Sequence, residues 1–124
     1  MASRLTEISL DCHDPDRLAE FWTGVLGWVV LHREPGLVEI GPAGRDDAEL
    51  LDAVRSGPVA PTIFLAQVPE DKVAKNRQHF DLRVMGDLTA ERERLIGLGA
   101  TMQADHGDLF VMLDPEGNEF CLEN

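Results

Sequence analysis

The chain has 124 residues, 44% of them hydrophobic and 27% charged, one domain's worth of sequence, since domains most often run to about 100–150 residues. Its 11 Lys and Arg against 23 Asp and Glu leave a net charge of −12, and no apolar run approaches the ~18 residues that a spanning helix requires. A surface of that sign repels phosphate backbones and anionic lipid, so nucleic acid and membranes are excluded as partners.

Residues 4–12 alternate with period two, Ile8, Leu10 and Cys12 on one side and Glu7, Ser9 and Asp11 on the other, which predicts a half-buried strand. No apolar stretch of secretory length precedes it, and the two cysteines, Cys12 and Cys121, form no ladder of spacings. Both points lead to the expectation of a cytoplasmic protein with free thiols. Asp14-Pro15 supplies a helix N-cap followed by proline at the first helical position. Leu18, Phe21, Trp22, Val25 and Leu26 then share one helical stripe, and Gly27 is the stop. Residues 28–32 and 37–41 read as a hairpin turning at Pro35-Gly36, and 61–68 as a fourth strand. Between them, 44–57 is acidic with weak helical spacing at Leu50, Leu51 and Val54; the expectation is a long surface loop or a lid. The polar stretch 69–77, which includes Lys75 and Arg77, reads as a linker.

From residue 79 the pattern starts again, with a strand at 79–85, a helix from about Thr89 to Leu98 that also carries Leu88, a stop at Gly99, and strands at 101–105, 109–113 and 119–123. A constant shift of 79 − 7 = 72 pairs Glu7 with His79, Leu10 with Leu82, Leu26 with Leu98 and Gly27 with Gly99 without a gap, the trace of an internal duplication. The expected organisation is a single α+β domain of two βαβββ modules, 1–69 and 79–124, joined by a bridge at 70–78. Neither module buries enough apolar surface to stand alone. Ile8/Leu10/Cys12, Phe64/Ala66/Val68, Phe80/Leu82/Val84 and Phe120/Leu122 form the apolar side, under the helices. The other side holds Glu7/Ser9/Asp11, Leu65/Gln67, His79/Asp81/Arg83 and Glu119/Cys121/Glu123. Twisted sheets curl, so this predicts a cup-shaped, mostly antiparallel open barrel sheet with helices on its outer face and a polar trough within, the usual place for a small-molecule site.

The helix that starts at Asp14-Pro15-Asp16 and ends at Val25-Leu26-Gly27, the paired βαβββ modules, the segment Lys75-Asn76-Arg77-Gln78-His79-Phe80-Asp81-Leu82 and the ending Asp114-Pro115-Glu116-Gly117-Asn118-Glu119-Phe120-Cys121 resemble the vicinal oxygen chelate superfamily. That superfamily comprises glyoxalases, bleomycin resistance proteins and extradiol dioxygenases, and the glyoxalase-like subgroup is the nearest match. The resemblance implies a homodimer and, in metal-using members, a divalent ion on the concave face with one ligand from each of strands one, four, five and eight. The matching positions are Glu7, Leu65, His79 and Cys121. Leu65 has no donor atom, which breaks the set unless Gln67 reaches in from one step along the same face. Cys121 puts a thiol where the superfamily has a carboxylate, which favours zinc over magnesium, manganese or ferrous iron and argues against dioxygenase chemistry.

Glu7, His79 and Cys121 admit three readings: a zinc site with an open position for water or substrate, a metal-free acid/base or anchoring pair of Glu7 and His79, or structural hydrogen bonding with Cys121 as a small apolar filler. Ser9, Asp11, Trp28, Leu65, Gln67, Asp81, Arg83 and Cys121 are expected to line the pocket, with Asp81, Arg83 and Asp11 forming either a charge network on its floor or a solvated ion cluster. Trp22 belongs to the helix's core stripe, and His13, His32 and His106 read as solvated. Asp114 to Asn118 reads as a hairpin turn. The leading function is that of a glyoxalase-like protein binding a small organic molecule, a lyase or isomerase using Glu7 and His79. The alternative is a non-catalytic sequestering protein similar to bleomycin resistance proteins, whose −12 charge would concentrate a cationic guest.

Overall fold

The computed structural model describes residues 2–124, apart from the side chain of Asp47. Its elements run in the order β1 (Glu7–Cys12), α1 (Pro15–Leu26), β2 (Val29–Glu34), β3 (Leu37–Gly41), α2 (Asp47–Ser56), β4 (Thr62–Gln67), β5 (Phe80–Arg83), α3 (Leu88–Leu98), β6 (Thr101–Asp105), β7 (Leu109–Leu113) and β8 (Glu119–Glu123). The chain divides after Pro69 into two compact units, the second being Glu70–Asn124. Each is built on an open, mixed four-stranded sheet, and the class is α+β. No helix among the described residues is long and apolar enough to cross a membrane.

In the first unit the strand order is β1-β4-β3-β2, with β1 and β4 parallel and the other neighbours antiparallel. The Asp14 side chain accepts a hydrogen bond from the Arg17 N–H (3.1 Å) and Pro15 opens α1. Gly27, at φ 65°, ends the helix in the left-handed conformation that costs glycine least. Leu18, Ala19, Phe21 and Trp22 are buried where α1 packs on β3 and β4. The sheet residues that fill this core are Val38, Ile40, Ile63 and Leu65, all less than 5% exposed.

The second unit repeats the plan in the order β5-β8-β7-β6, with β5 and β8 parallel. Asp87 caps α3 through the Ala90 N–H (2.7 Å), and Leu88, Leu95, Phe110, Met112, Phe120 and Leu122 are buried. The duplication extends to an irregularity, because β2 shifts register between Val30 and His32 and β6 between Met102 and Ala104. Both bulges obey the shift of 72 (30 + 72 = 102, 32 + 72 = 104).

Two expectations are corrected by the structure. The segment 44–57 is a helix over Asp47–Ser56 rather than an irregular loop. Asp46 caps it at the Ala48 N–H (2.8 Å), so it forms on local signals although Leu51 remains exposed and its spacing shows no strong stripe. It is an insertion peculiar to the first unit. Leu65 aligns with Leu10, and Leu122 with Leu82; the shift therefore falls from 72 before α2 to 122 − 65 = 57 after it, a difference of 15 residues.

The second correction concerns β4. Side chains in register on neighbouring strands point to the same face, and the register sets Ile63 and Leu65 beside Ile8, Leu10, Val38 and Ile40, whereas Thr62, Phe64 and Ala66 stand beside Glu7, Ser9 and Asp11. Leu65 is 0% exposed and belongs to the core under α1, not to a pocket. Phe64, not Leu65, is the counterpart of Cys121, since 64 + 57 = 121. We predict that Leu65→Ala lowers unfolding free energy by about 2–5 kcal/mol, as large-to-small changes in a closed core do, with Phe64→Ala costing less; urea denaturation of both variants checks the face assignment.

Candidate functional site

In the second unit, parallel pairing sets Asp81 of β5 directly beside Cys121 of β8. His79 lies two residues before Asp81 and so on the same face. Its Nδ1 is 2.8 Å from Asp81 Oδ1. A carboxylate can only accept, so Nδ1 donates the proton of this bond and Nε2 is left for another partner. One ligand atom from each of His79, Asp81 and Cys121 falls within 4.8 Å of the others. His79 and Asp81 are exposed and Cys121 is half-buried, so the trio opens to solvent.

Burial pushes the Cys121 thiol above its usual range, and the nearby charges of Asp81 and Glu123, with a hydrogen bond to Asp81, push the same way against a smaller opposing effect of Lys75. Cys121 is therefore a protonated thiol at neutral pH, poor as a nucleophile. Arg83 pairs across the strands with Glu123, its partner in register (3.2 Å), and with the Asn124 carbonyl, while Asp81 pairs with His79.

A second set of contacts fixes the segment leading into His79. Lys72 Nζ donates to Glu119 Oε1 (2.9 Å) and to the Ala74 carbonyl (2.7 Å). The Asn76 N–H donates to Glu119 Oε2 (3.0 Å) and the Asn76 amide to Asn118 Oδ1 (2.8 Å). Asn118 is held in turn by Asp114, whose Oδ1 accepts from the Glu116 and Asn118 N–H groups (2.8 and 3.0 Å) and whose Oδ2 accepts from the Asn118 amide (2.8 Å). The stretch expected to be a linker is thus tied to the start of β8, and Asp114-Pro115-Glu116-Gly117-Asn118 is more than a turn. It carries the anchor for the residues three positions before His79 and two before Cys121. Burial alone would raise the Glu119 carboxyl, but the hydrogen bond from Lys72, the backbone N–H donors of Glu119 and Asn76 and the Lys72 charge together hold it at about 2.

The first unit places Glu7, Ser9 and Asp11 on the exposed face of β1, and Thr6 hydrogen-bonds Glu7. Trp28 is half-buried immediately before β2. Gln67, in register with Cys12, sends its amide to the His13 carbonyl (3.2 Å) and does not serve the Glu7 face. Within the second unit the trio that converges is His79, Asp81 and Cys121, while Glu7, expected in the metal set with His79 and Cys121, belongs to the first unit. Sequence reasoning placed Asp81 only as a lining residue, yet its i, i+2 spacing from His79 on a strand was the available signal. The buried Glu39, whose Oε2 accepts from the Thr62 hydroxyl (2.8 Å), had no such signal.

A family model described as the glyoxalase-like domain matches residues 7–123. No curated protein matches. Among solved structures, a glyoxalase/bleomycin resistance protein/dioxygenase family enzyme from Burkholderia phytofirmans is similar at TM-score 0.69 and 17% identity, covering 98% of each chain. The fosfomycin resistance protein FosX from Mesorhizobium loti has TM-score 0.71 and 14% identity over 99% of this chain and 92% of its own. A FosX variant from Listeria monocytogenes, in complex with Mn(II) and 1S,2S-dihydroxypropylphosphonic acid, has TM-score 0.70 and 15% identity over 99% and 90%.

Because its ordinary value is 4.5, Glu119 binds a proton more readily in the unfolded chain than in the fold. Its contribution is present above that value and fades as pH falls toward about 2. We predict that the melting temperature drops through this window and that Glu119→Gln flattens the drop; thermal melts across acidic pH check it. Iodoacetamide labelling should find Cys121 slow at neutral pH and accelerating only in the alkaline range.

Proposed function

Because the chain belongs to the glyoxalase-like domain family, we propose that it binds a small organic molecule over the strand face of His79, Asp81 and Cys121 and acts on it as a lyase or isomerase, with zinc held by these three side chains. The convergence of an imidazole, a carboxylate and a thiol within 4.8 Å carries the reading. A nitrogen, oxygen and sulfur donor set suits zinc, and three protein ligands leave the open position that catalytic zinc sites keep. When bound, the metal would supply Lewis acidity.

The residues themselves set the terms. Asp81 uses one oxygen to hold the Nδ1 proton of His79, fixing ring tautomer and orientation, and has a second oxygen to offer. Cys121 must lose its proton to ligate, so its raised pKa makes affinity depend on pH and couples binding to proton release. The FosX relative holds Mn(II) and a phosphonate. The thiol here favours the softer zinc, and a net charge of −12 disfavours an anionic substrate. Glu7, the counterpart of His79 under the duplication, is the acid/base candidate of the first unit, and homodimerisation follows from the family likeness; light scattering reads the latter.

The charge of −12 favours a second reading, in which the protein sequesters a cationic small molecule without turning it over. A ligand recovered unchanged after long incubation upholds sequestration, and a product upholds the lyase or isomerase.

For the metal, we predict one zinc or cobalt ion per chain, affinity rising with pH, and a cobalt–thiolate charge-transfer band that disappears in Cys121→Ala. His79→Ala should weaken binding by at least about tenfold, the scale on which even outer ligand supports act. A chain that takes up no metal in calorimetry and cobalt spectroscopy overturns the zinc site.

A further inference from the structure

Glu39 lies in the middle of β3 on the face of that strand opposite Val38 and Ile40, and it is only 7% exposed. A buried carboxylate is costly unless a cation or several donors compensate it. Its hydrogen-bond partner is a single neutral group, the Thr62 hydroxyl at 2.8 Å on Oε2. No Lys, Arg or His among the described residues forms an ion pair with it. His32 stands opposite it in the β2–β3 register, yet its Nε2 addresses Glu34 at 3.5 Å.

Its neighbours on the sheet are aromatic, acidic and apolar groups of the kind that hold an organic cation. Phe64 is the direct cross-strand neighbour of Glu39, half-buried, and presents the kind of ring on which cations rest. Thr62 stands in register with Glu7, so a second carboxylate shares the face. Leu31 and the Thr62 methyl close over Gly41, two residues from Glu39. A Cβ at Gly41 would meet them at 2.7 and 2.8 Å, so glycine is what lets this apolar wall form.

We propose that Glu39, with Thr62 and Phe64, is the anchor for a positively charged organic group, an ammonium or guanidinium on an apolar body, bound on the sheet face of the first unit that carries Glu7, Thr62 and Phe64. The ligand supplies the missing counter-charge, Thr62 fixes the carboxylate's orientation, and Phe64 covers the cation. This rests on the small-molecule-binding half of the reading above and is independent of the zinc site.

Benzylammonium and its neutral counterpart benzyl alcohol are suitable probes, titrated into the full chain by NMR. Benzylammonium should move amide signals of β3 and β4, benzyl alcohol should bind at least about tenfold more weakly, and Glu39→Gln should lose at least about tenfold in affinity, one buried charge interaction being worth that much or more. Glu39→Gln keeps an oxygen for the Thr62 hydroxyl, so its unliganded melting temperature should be unchanged or raised. Equal binding of the two probes, or unaltered benzylammonium affinity in Glu39→Gln, overturns the proposal, as does a Glu39→Gln melting temperature that falls by several degrees. Zinc titration of the same samples keeps the readings apart. Zinc uptake without benzylammonium binding overturns the cation anchor alone, and benzylammonium binding without zinc uptake upholds the anchor while removing the metal.

Discussion

The parallel register between β5 and β8 is the constraint on which the candidate centre depends. Side chains alternate along a strand, so a slip of one residue would exchange Asp81 and Cys121 for the apolar Phe80, Leu82, Phe120 and Leu122. Two things oppose the slip. Phe120 and Leu122 are buried at 0% and 1% exposure, and turning them to solvent would forfeit the transfer free energy of two large side chains, about 1.5–3 kcal/mol each. Glu119, at the start of β8, is held from three sides by Lys72 and the Asn76 and Glu119 N–H groups. A neutral hydrogen bond contributes little net, but a buried carboxylate left without its donors is expensive, so the anchor acts mainly by penalising every alternative.

The duplication shows how the same backbone can carry different chemistry. Register makes Phe64 the counterpart of Cys121, and Ser9 that of Asp81, while Glu7 answers to His79. The first unit has therefore lost two of the three donors at these positions and gained an aromatic ring. Its own buried acid, Glu39, stands next to that ring, whereas 39 + 72 = 111 puts Val111 at the matching place in the second unit. The second unit gathers His79, Asp81 and Cys121, the first a buried acid beside an aromatic ring, and the 15-residue insertion that forms α2 follows β3 only in the half that carries Glu39.

Much of the fold was legible in the sequence because it is written in local signals. Asp14-Pro15 and Gly27 bracket α1, and the alternation in β1 and β8 reports one-sided burial. The final three strands lie at the residues expected, whereas β1 and β5 proved shorter than 4–12 and 79–85, since the residues before Glu7 and on either side of Phe80–Arg83 lack partners in register. The β4 face was misread for a physical reason. A central strand covered on both sides has no hydrophobic contrast between its faces, and Thr62, Ile63 and Leu65 are all buried. Only the pairing with β1 and β3 decides which way Leu65 points. The tie between Asn76 and Asn118, 42 residues apart, and the burial of Glu39 are likewise products of tertiary contact, and neither residue type nor spacing announces them.

The distribution of charge joins these points. Of a small complement of cations, Lys72 serves Glu119, Arg83 serves Glu123, Arg94 serves Glu91 and Arg33 serves Asp16. All but Lys72–Glu119 are surface pairs, which add little to stability, while Glu39, the acid for which compensation would matter most, has a threonine. Selection for stability alone would move a cation to Glu39 or replace it with an apolar residue. A buried acid kept without a cationic neighbour is instead what retention for binding would leave in place. The two proposed centres thus share one demand, a positively charged guest, met by a metal ion in one and an organic cation in the other.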